Sequence, residues 1–202
     1  MCIRDSITTP AKTLHAYVGL SHATHARIKN LNLDAVRNAP GVVCVLTAND
    51  IPGSPDIGPV YAGDPLIAGD TVEFRGQILF AVAAVSNKAA RRAARLAEVE
   101  YQMLPSILDS QKAHELGSYV RPMHCQRRGD AETAIAAAPL QLEGEFHSGG
   151  QEQMYLEGQV SLAIPDEDDR MLVYSSTQHP SEGQKLVAQV LNIPLSHVTV
   201  QV

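Results

Sequence analysis

Between residues 12 and 86, apolar positions come in short blocks separated by turn-forming residues. Leu14 to Leu20 and Ala26 to Leu31 predict two strands joined by a polar bend. Leu33 to Asn38 predicts a short helix ended by Pro40-Gly41. Val42 to Leu46 is a compact β-branched run and predicts a buried strand, within which Cys44 reads as a small core residue rather than a nucleophile. Ile51 to Asp70 is rich in Pro, Gly and Asp and predicts a long surface loop of the kind often found at functional or interfacial sites. Ile78 to Val85 predicts a second buried strand. Ser86 suits a helix N-cap. Over Asn87 to Glu98, Ala89, Ala90, Ala93, Ala94 and Ala97 share one helical stripe, leaving Arg91, Arg92 and Arg95 toward water. Val99 to Leu104 returns to strand, and strands with segregated helices predict an α+β domain.

Ser110 to Gly129 has weak patterning, with a short polar helix, Gly117, Pro122 and Arg127-Arg128, and reads as a linker. Asp130 caps a predicted helix through Ala138. Leu140, Leu142 and Phe146 alternate with polar residues, as do Val160, Leu162 and Ile164, which is the period of strands. Pro165 to Asp169 is a polar turn, with Glu167-Asp168-Asp169 as a solvated acidic run, and Met171 to Thr177 is a strand. Pro180 opens a helix whose apolar face is Leu186, Val187, Val190 and Leu191, with Gln184 on the exposed face. Val198, Val200 and Val202 alternate as a last strand. Residues 171–202 therefore read strand–helix–strand, and stopping on an unfinished strand points to a truncated chain.

Of the 202 residues, 45% are hydrophobic and 19% charged, which excludes a disordered or collagen-like chain. The formal net charge of −6, without a basic stripe, argues against a nucleic-acid partner. The longest uncharged apolar run, Ile78 to Val85, is too short to span a bilayer. Met1 to Ser6 lacks the apolar core of a signal peptide. Cys2, Cys44 and Cys125 are odd in number and widely spaced, which fits a reducing cytosol and leaves too few thiolates for an all-cysteine iron–sulfur cluster.

Two segments carry candidate chemistry. Ser175-Ser176-Thr177-Gln178-His179-Pro180 lies where a strand ends and a helix begins, the place where open α/β sheets bind ligands. Gln178 offers a neutral donor and acceptor there, beside amides that attract anions and oxo groups. The same residues also fit a plain polar helix cap. Gly149-Gly150-Gln151-Glu152-Gln153 pairs two glycines with polar residues before a strand, fitting either close backbone approach to a ligand or a simple bend. His15, His22 and His25 match no zinc spacing. No GxSxG elbow organises a nucleophile.

Several of these stretches resemble one family. LHAYVGLSHATHARI (14–28), PGVVCVLTANDI (40–51) and AARRAARL (89–96) resemble the α/β hammerhead domain of the xanthine dehydrogenase and aldehyde oxidase family. GGQEQMYLEGQ (149–159) and SSTQHPSE (175–182) resemble the start of that family's molybdenum-cofactor domain. The resemblance implies a hammerhead domain over residues 8–108, a linker over 109–129, and the truncated beginning of a molybdopterin-binding α/β domain over 130–202. It implies that Gln178 hydrogen-bonds an oxygen ligand of molybdenum, with Gly149, Gly150, Gln151 and Glu152 shaping the surroundings and no side chain ligating the metal. Gln153-Met154 stand where the family commonly has His-Phe. The family's GGGFGGKE loop, substrate arginine and late glutamate base do not occur in this sequence, so no catalytic residue is assigned and the segment by itself is expected to be inactive.

For the intact enzyme the resemblance implies a cytoplasmic molybdenum hydroxylase of purine catabolism, converting hypoxanthine and xanthine to urate. Electrons would pass through Fe-S clusters and FAD on a partner subunit, in a hetero-oligomer, to NAD. An aldehyde or aromatic-heterocycle oxidoreductase is the alternative, as is an inactive structural module.

Overall fold

The computed structural model describes residues 7–156 and 158–202. Met1 to Ser6, with Cys2, and Glu157 of the YLE motif lie outside the described residues. Contacts gather the described chain into two units, residues 7–106 with 158–202, and residues 107–156.

In the first unit, β1 (His15–Leu20) and β2 (Ala26–Asn32) follow one another but enter different sheets. β1 pairs antiparallel with β5 (Ile78–Ala84), and β3 (Val42–Leu46) pairs antiparallel with the other side of β5. β2 lies between β4 (Thr71–Val72) and β6 (Glu98–Met103). The parting of the two strands is anchored at Ser21. Its N–H donates to Gln77 O at 2.8 Å, and its carbonyl accepts from Gly76 N at 2.9 Å. Ser21 and Gln77 are the buried polar residues of the core, so those bonds satisfy groups cut off from water.

Leu33, Val36, Val72, Leu79, Phe80, Val82, Ala90 and Ala93 form the core. α1 (Asp34–Arg37) supplies Val36. α2 (Asn87–Ala94) supplies Ala90 and Ala93, whose small side chains let the helix lie close on the sheet, and Ser86 Oγ caps it by accepting from Ala89 N at 3.2 Å. The helix is shorter than the alanine stripe predicts. Arg95 ends it because Glu98 already begins the strand paired with Asn32.

Val42 to Leu46 is a strand but not a buried one. Among the described residues β3 pairs only with β5, at the edge of its sheet, Val43 is 55% exposed, and Cys44 faces solvent instead of the core. Composition signals a strand but not its rank in the sheet order.

The third sheet joins β7 (Ser161–Asp166), β8 (Arg170–Ser175) and β9 (Val198–Gln201), with β8 central. β7 and β8 form a hairpin whose turn is Glu167 to Asp169, shorter than the polar run because Pro165 and Asp166 pair within the ladder. Asp168 and Asp169 both take φ 56°, a left-handed conformation that aspartate tolerates in hairpin turns. α5 (Pro180–Leu191) crosses from β8 to β9, which run parallel with Met171 opposite Val198.

Residues 107–156 hold α3 (Ser110–Glu115) and α4 (Ala131–Ala136), capped by Asp109 and Asp130. Neither helix has a buried residue. Leu140, Leu142 and Phe146 form no strand and are exposed. Their alternation meets no neighbouring backbone among the described residues to bond its N–H and C=O groups, and a strand exists only in a ladder. Among the described residues, no helix is long and apolar enough to cross a membrane.

Candidate functional site

The candidate site is the junction between β8 and α5. β8 is held on both sides, so its carboxyl end is fixed. Ser175 Oγ lies 3.0 Å from Ser161 Oγ, Ser176 N donates to Val160 O at 3.1 Å, and Ser176 Oγ accepts from Val160 N at 3.0 Å. Beyond this tie the chain turns. Thr177 Oγ1 accepts from His179 N at 3.1 Å, which bends the backbone between them and leaves Gln178 at the apex. The Gln178 side chain is exposed, and its amide has no hydrogen-bond partner among the described residues.

His179 is the N-cap residue of α5 but gives no side-chain cap, and Pro180 occupies the first turn without an N–H. The first intrahelical bond runs from Gly183 N to His179 O at 2.9 Å, so the amides of Ser181 and Glu182 precede the ladder. The junction therefore gathers a neutral carboxamide, a hydroxyl and free backbone amides. Such donors suit an oxo or otherwise electron-rich oxygen of a ligand.

α5 is braced along its length. Gln184 lies on the packed side, against expectation, and its Nε2 donates to Leu195 O at 3.2 Å and to Val198 O at 2.7 Å. The apolar-face pattern does not reveal this, because the acceptors belong to a turn that the sequence gives no reason to place there. At the other end Asn192 takes a left-handed φ of 55°, and Ile193 N donates to Ala188 O at 3.1 Å. Two carbonyls of the last turn are met from afar: Gly53 N donates to Val190 O at 2.9 Å, and Ser54 N donates at 3.1 Å to Gln189 O, which also accepts from Asn192 N at 3.4 Å. The Pro-Gly-Ser-Pro composition signals this loop but not its destination.

The other sequence candidates belong to other segments of the chain. Gly149, Gly150, Gln151 and Glu152 are exposed, belong to the unit of residues 107–156, and form no regular element. Glu152 Oε1 accepts from Met154 N at 3.3 Å. His25 Nδ1 lies 2.6 Å from Pro105 O, a bond that fastens the start of β2 to the chain just after β6. Two surface depressions are lined by Gln126 to Glu132 and by residues including Pro40, Lys88 and Arg92, and no residue of β8 or α5 lines either one.

Residues 3–105 match the family model described as aldehyde oxidase and xanthine dehydrogenase, a/b hammerhead domain. The chain belongs to the aldehyde oxidase and xanthine dehydrogenase family. Residues 113–202 match the model of the molybdopterin cofactor-binding domain. Xanthine dehydrogenase of Oryza sativa subsp. japonica is 35% identical over 198 residues, 96% of this chain and 14% of that protein. Aldehyde oxidase 2 of Macaca fascicularis is 36% identical over 200 residues, 98% of this chain and 14% of that protein. The chain thus spans about one seventh of these relatives. Quinoline 2-oxidoreductase of Pseudomonas putida 86 superposes with TM-score 0.81 at 24% identity, over 99% of this chain and 27% of that one, a likeness of fold. The α+β architecture is that of the hammerhead domain followed by the start of the molybdenum-binding domain.

The donor set at the junction fits a molybdenum–pterin group. The pterin, rather than side chains, ligates the metal in such a group, so the protein's part is to orient and hydrogen-bond it. A neutral amide and helix amides without a partner among the described residues are what that part requires.

Proposed function

We propose that this chain is part of the molybdenum subunit of a xanthine dehydrogenase, and that Gln178 hydrogen-bonds an oxygen ligand of the metal. The observation that carries the reading is the Gln178 amide, without a partner among the described residues, at the apex of the β8–α5 junction beside the open start of α5. In this reading the hammerhead domain spans residues 8–108, a linker spans 109–129, and 130–202 begin the cofactor domain. Gly149, Gly150, Gln151 and Glu152 shape the surroundings of the cofactor. When bound, the group supplies the redox centre, and Gln178 fixes its orientation with a bond that does not titrate near neutral pH. The intact enzyme is cytoplasmic, takes hypoxanthine and xanthine to urate, and passes electrons to NAD through Fe-S clusters and FAD on a partner subunit. The 202 residues alone are inactive.

The similar identity to relatives named for aldehydes supports one second reading, hydroxylation of an aldehyde or an aromatic heterocycle. Turnover of xanthine, an aldehyde and quinoline by the full-length enzyme separates the two. The site is tested by Gln178→Ala in that enzyme. Losing one positioned bond to developing charge typically lowers kcat about 10²–10³-fold. Molybdenum content and the shape of the pH profile stay the same. A kcat within about twofold of wild type at full molybdenum content refutes the assignment.

A further inference from the structure

We infer that the loop of residues 53–57 in the hammerhead segment positions Gln178, acting through α5; this rests on the reading of Gln178 above. α5 has 12 residues and behaves as a rod about 18 Å long. Gln178 sits two residues before its first position, so wherever the rod lies along its axis, Gln178 goes with it.

The carbonyls at a helix C-terminus point along the axis. Donors meeting them end-on act as a stop, and here the stop is Gly53 N on Val190 O and Ser54 N on Gln189 O. Gln189 Nε2 adds a bond to Asp56 O at 3.4 Å. Gly53 is required for the approach. A Cβ there would collide with Gln189 O, and would lie 2.8 Å from Val190 O and 2.9 Å from Asn192 N. All three are backbone atoms that no rotamer change removes.

The loop is stiff enough to push back. The Asp56 carboxylate accepts from Gly58 N at 2.8 Å, Gly63 N at 2.7 Å and Asp64 N at 3.3 Å. Ile57 N bonds Asp64 O at 2.9 Å and Leu66 N bonds Pro55 O at 2.8 Å. An atom added at residue 53 therefore displaces the end of α5 as well as the loop. Gly53 and Asp56 are positioning residues, since neither touches the site.

The test is a double-mutant cycle in the full-length holoenzyme, read by kcat, by molybdenum content and by hydrogen exchange across residues 176–192. A misplacement of about 1 Å costs up to about 10²-fold in rate. Gly53→Ala is expected to lower kcat about 10- to 100-fold with molybdenum retained, and to speed exchange at the start of α5. In the Gln178→Ala background the same change adds less than about twofold, because the residue it acts through is gone. Full additivity in that background, or unchanged exchange across α5, overturns the inference. If Gln178→Ala alone leaves kcat unchanged, the site reading fails and the role in positioning falls with it; if Gln178→Ala is damaging and the two changes are additive, only the positioning role fails. Should Gly53→Ala not fold, Asp56→Asn loosens the loop while keeping Gly53, and the same cycle decides.

Discussion

Gly19→Ala will destabilise this protein far more than a single methyl group suggests. Gly19 lies directly opposite Phe80 in the β1–β5 ladder. A Cβ at Gly19 would sit among Cε1, Cζ and Cδ1 of the Phe80 ring, with the last at 2.7 Å. Phe80 is 2% exposed and packed among the core residues, so its ring moves only by displacing other core side chains. Overpacking costs about 1–3 kcal/mol, and a collision with three ring atoms belongs at the upper end, about 3 kcal/mol. Phe80→Leu alone removes buried carbon and costs about 1–2 kcal/mol. Together the two changes relieve one another, since the shorter side chain vacates the space the new methyl needs. The double variant should be more stable than the sum of the singles predicts by at least about 1 kcal/mol. Urea denaturation gives the three values from midpoints at unchanged m. Additivity within about 0.5 kcal/mol would refute the packing explanation.

Two further outcomes follow from the site and its supports. Gln184→Ala should cost about 1–2 kcal/mol, by stranding the carbonyls of Leu195 and Val198, whereas Lys185→Ala on the exposed side of α5 stays within about 0.5 kcal/mol; equal values in thermal or urea unfolding would refute the brace. The N–H groups of Gly58 and Gly63, which bond its carboxylate, hold Asp56 below the usual carboxylate range. The folded pKa is thus lower than the unfolded one, so the loop's stabilisation is complete above about pH 3.9 and is lost as pH falls through the folded value. The amide resonances of Gly58 and Gly63 should titrate with a midpoint below 3.9 and not at all in Asp56→Asn; a midpoint at or above the free value would show the cradle to be absent.

The elements themselves were legible because each carries its own period or cap. The alanine stripe, Ser86 and Pro180 all act within a few residues of chain. What stayed hidden depends on partners distant in sequence. Val42 to Leu46 has the composition of an interior strand, yet its burial is decided by Ile78 to Ala84 lying on one side of it and no described strand on the other. Leu140, Leu142 and Phe146 have the alternation of a strand without a ladder to join. Gln184 looks like a surface residue until the turn at Leu195 is folded beneath it. Gln178 stood out through its place between strand and helix and its resemblance to a motif. Gly53 did not, because a glycine's need for room appears only when Gln189 and Val190 arrive beside it.

That contact, between residues 133 positions apart at Asp56 and Gln189, has a consequence for the order of assembly. Closing a flexible loop of that length costs about 4 kcal/mol beyond a constant term. Three hydrogen bonds at about 1 kcal/mol each do not offset it. The clamp therefore forms only after the intervening segments have shortened the connection by folding on their own. α5 acquires its end stop last, and on a nascent or refolding chain the start of that helix becomes rigid later than the hammerhead core.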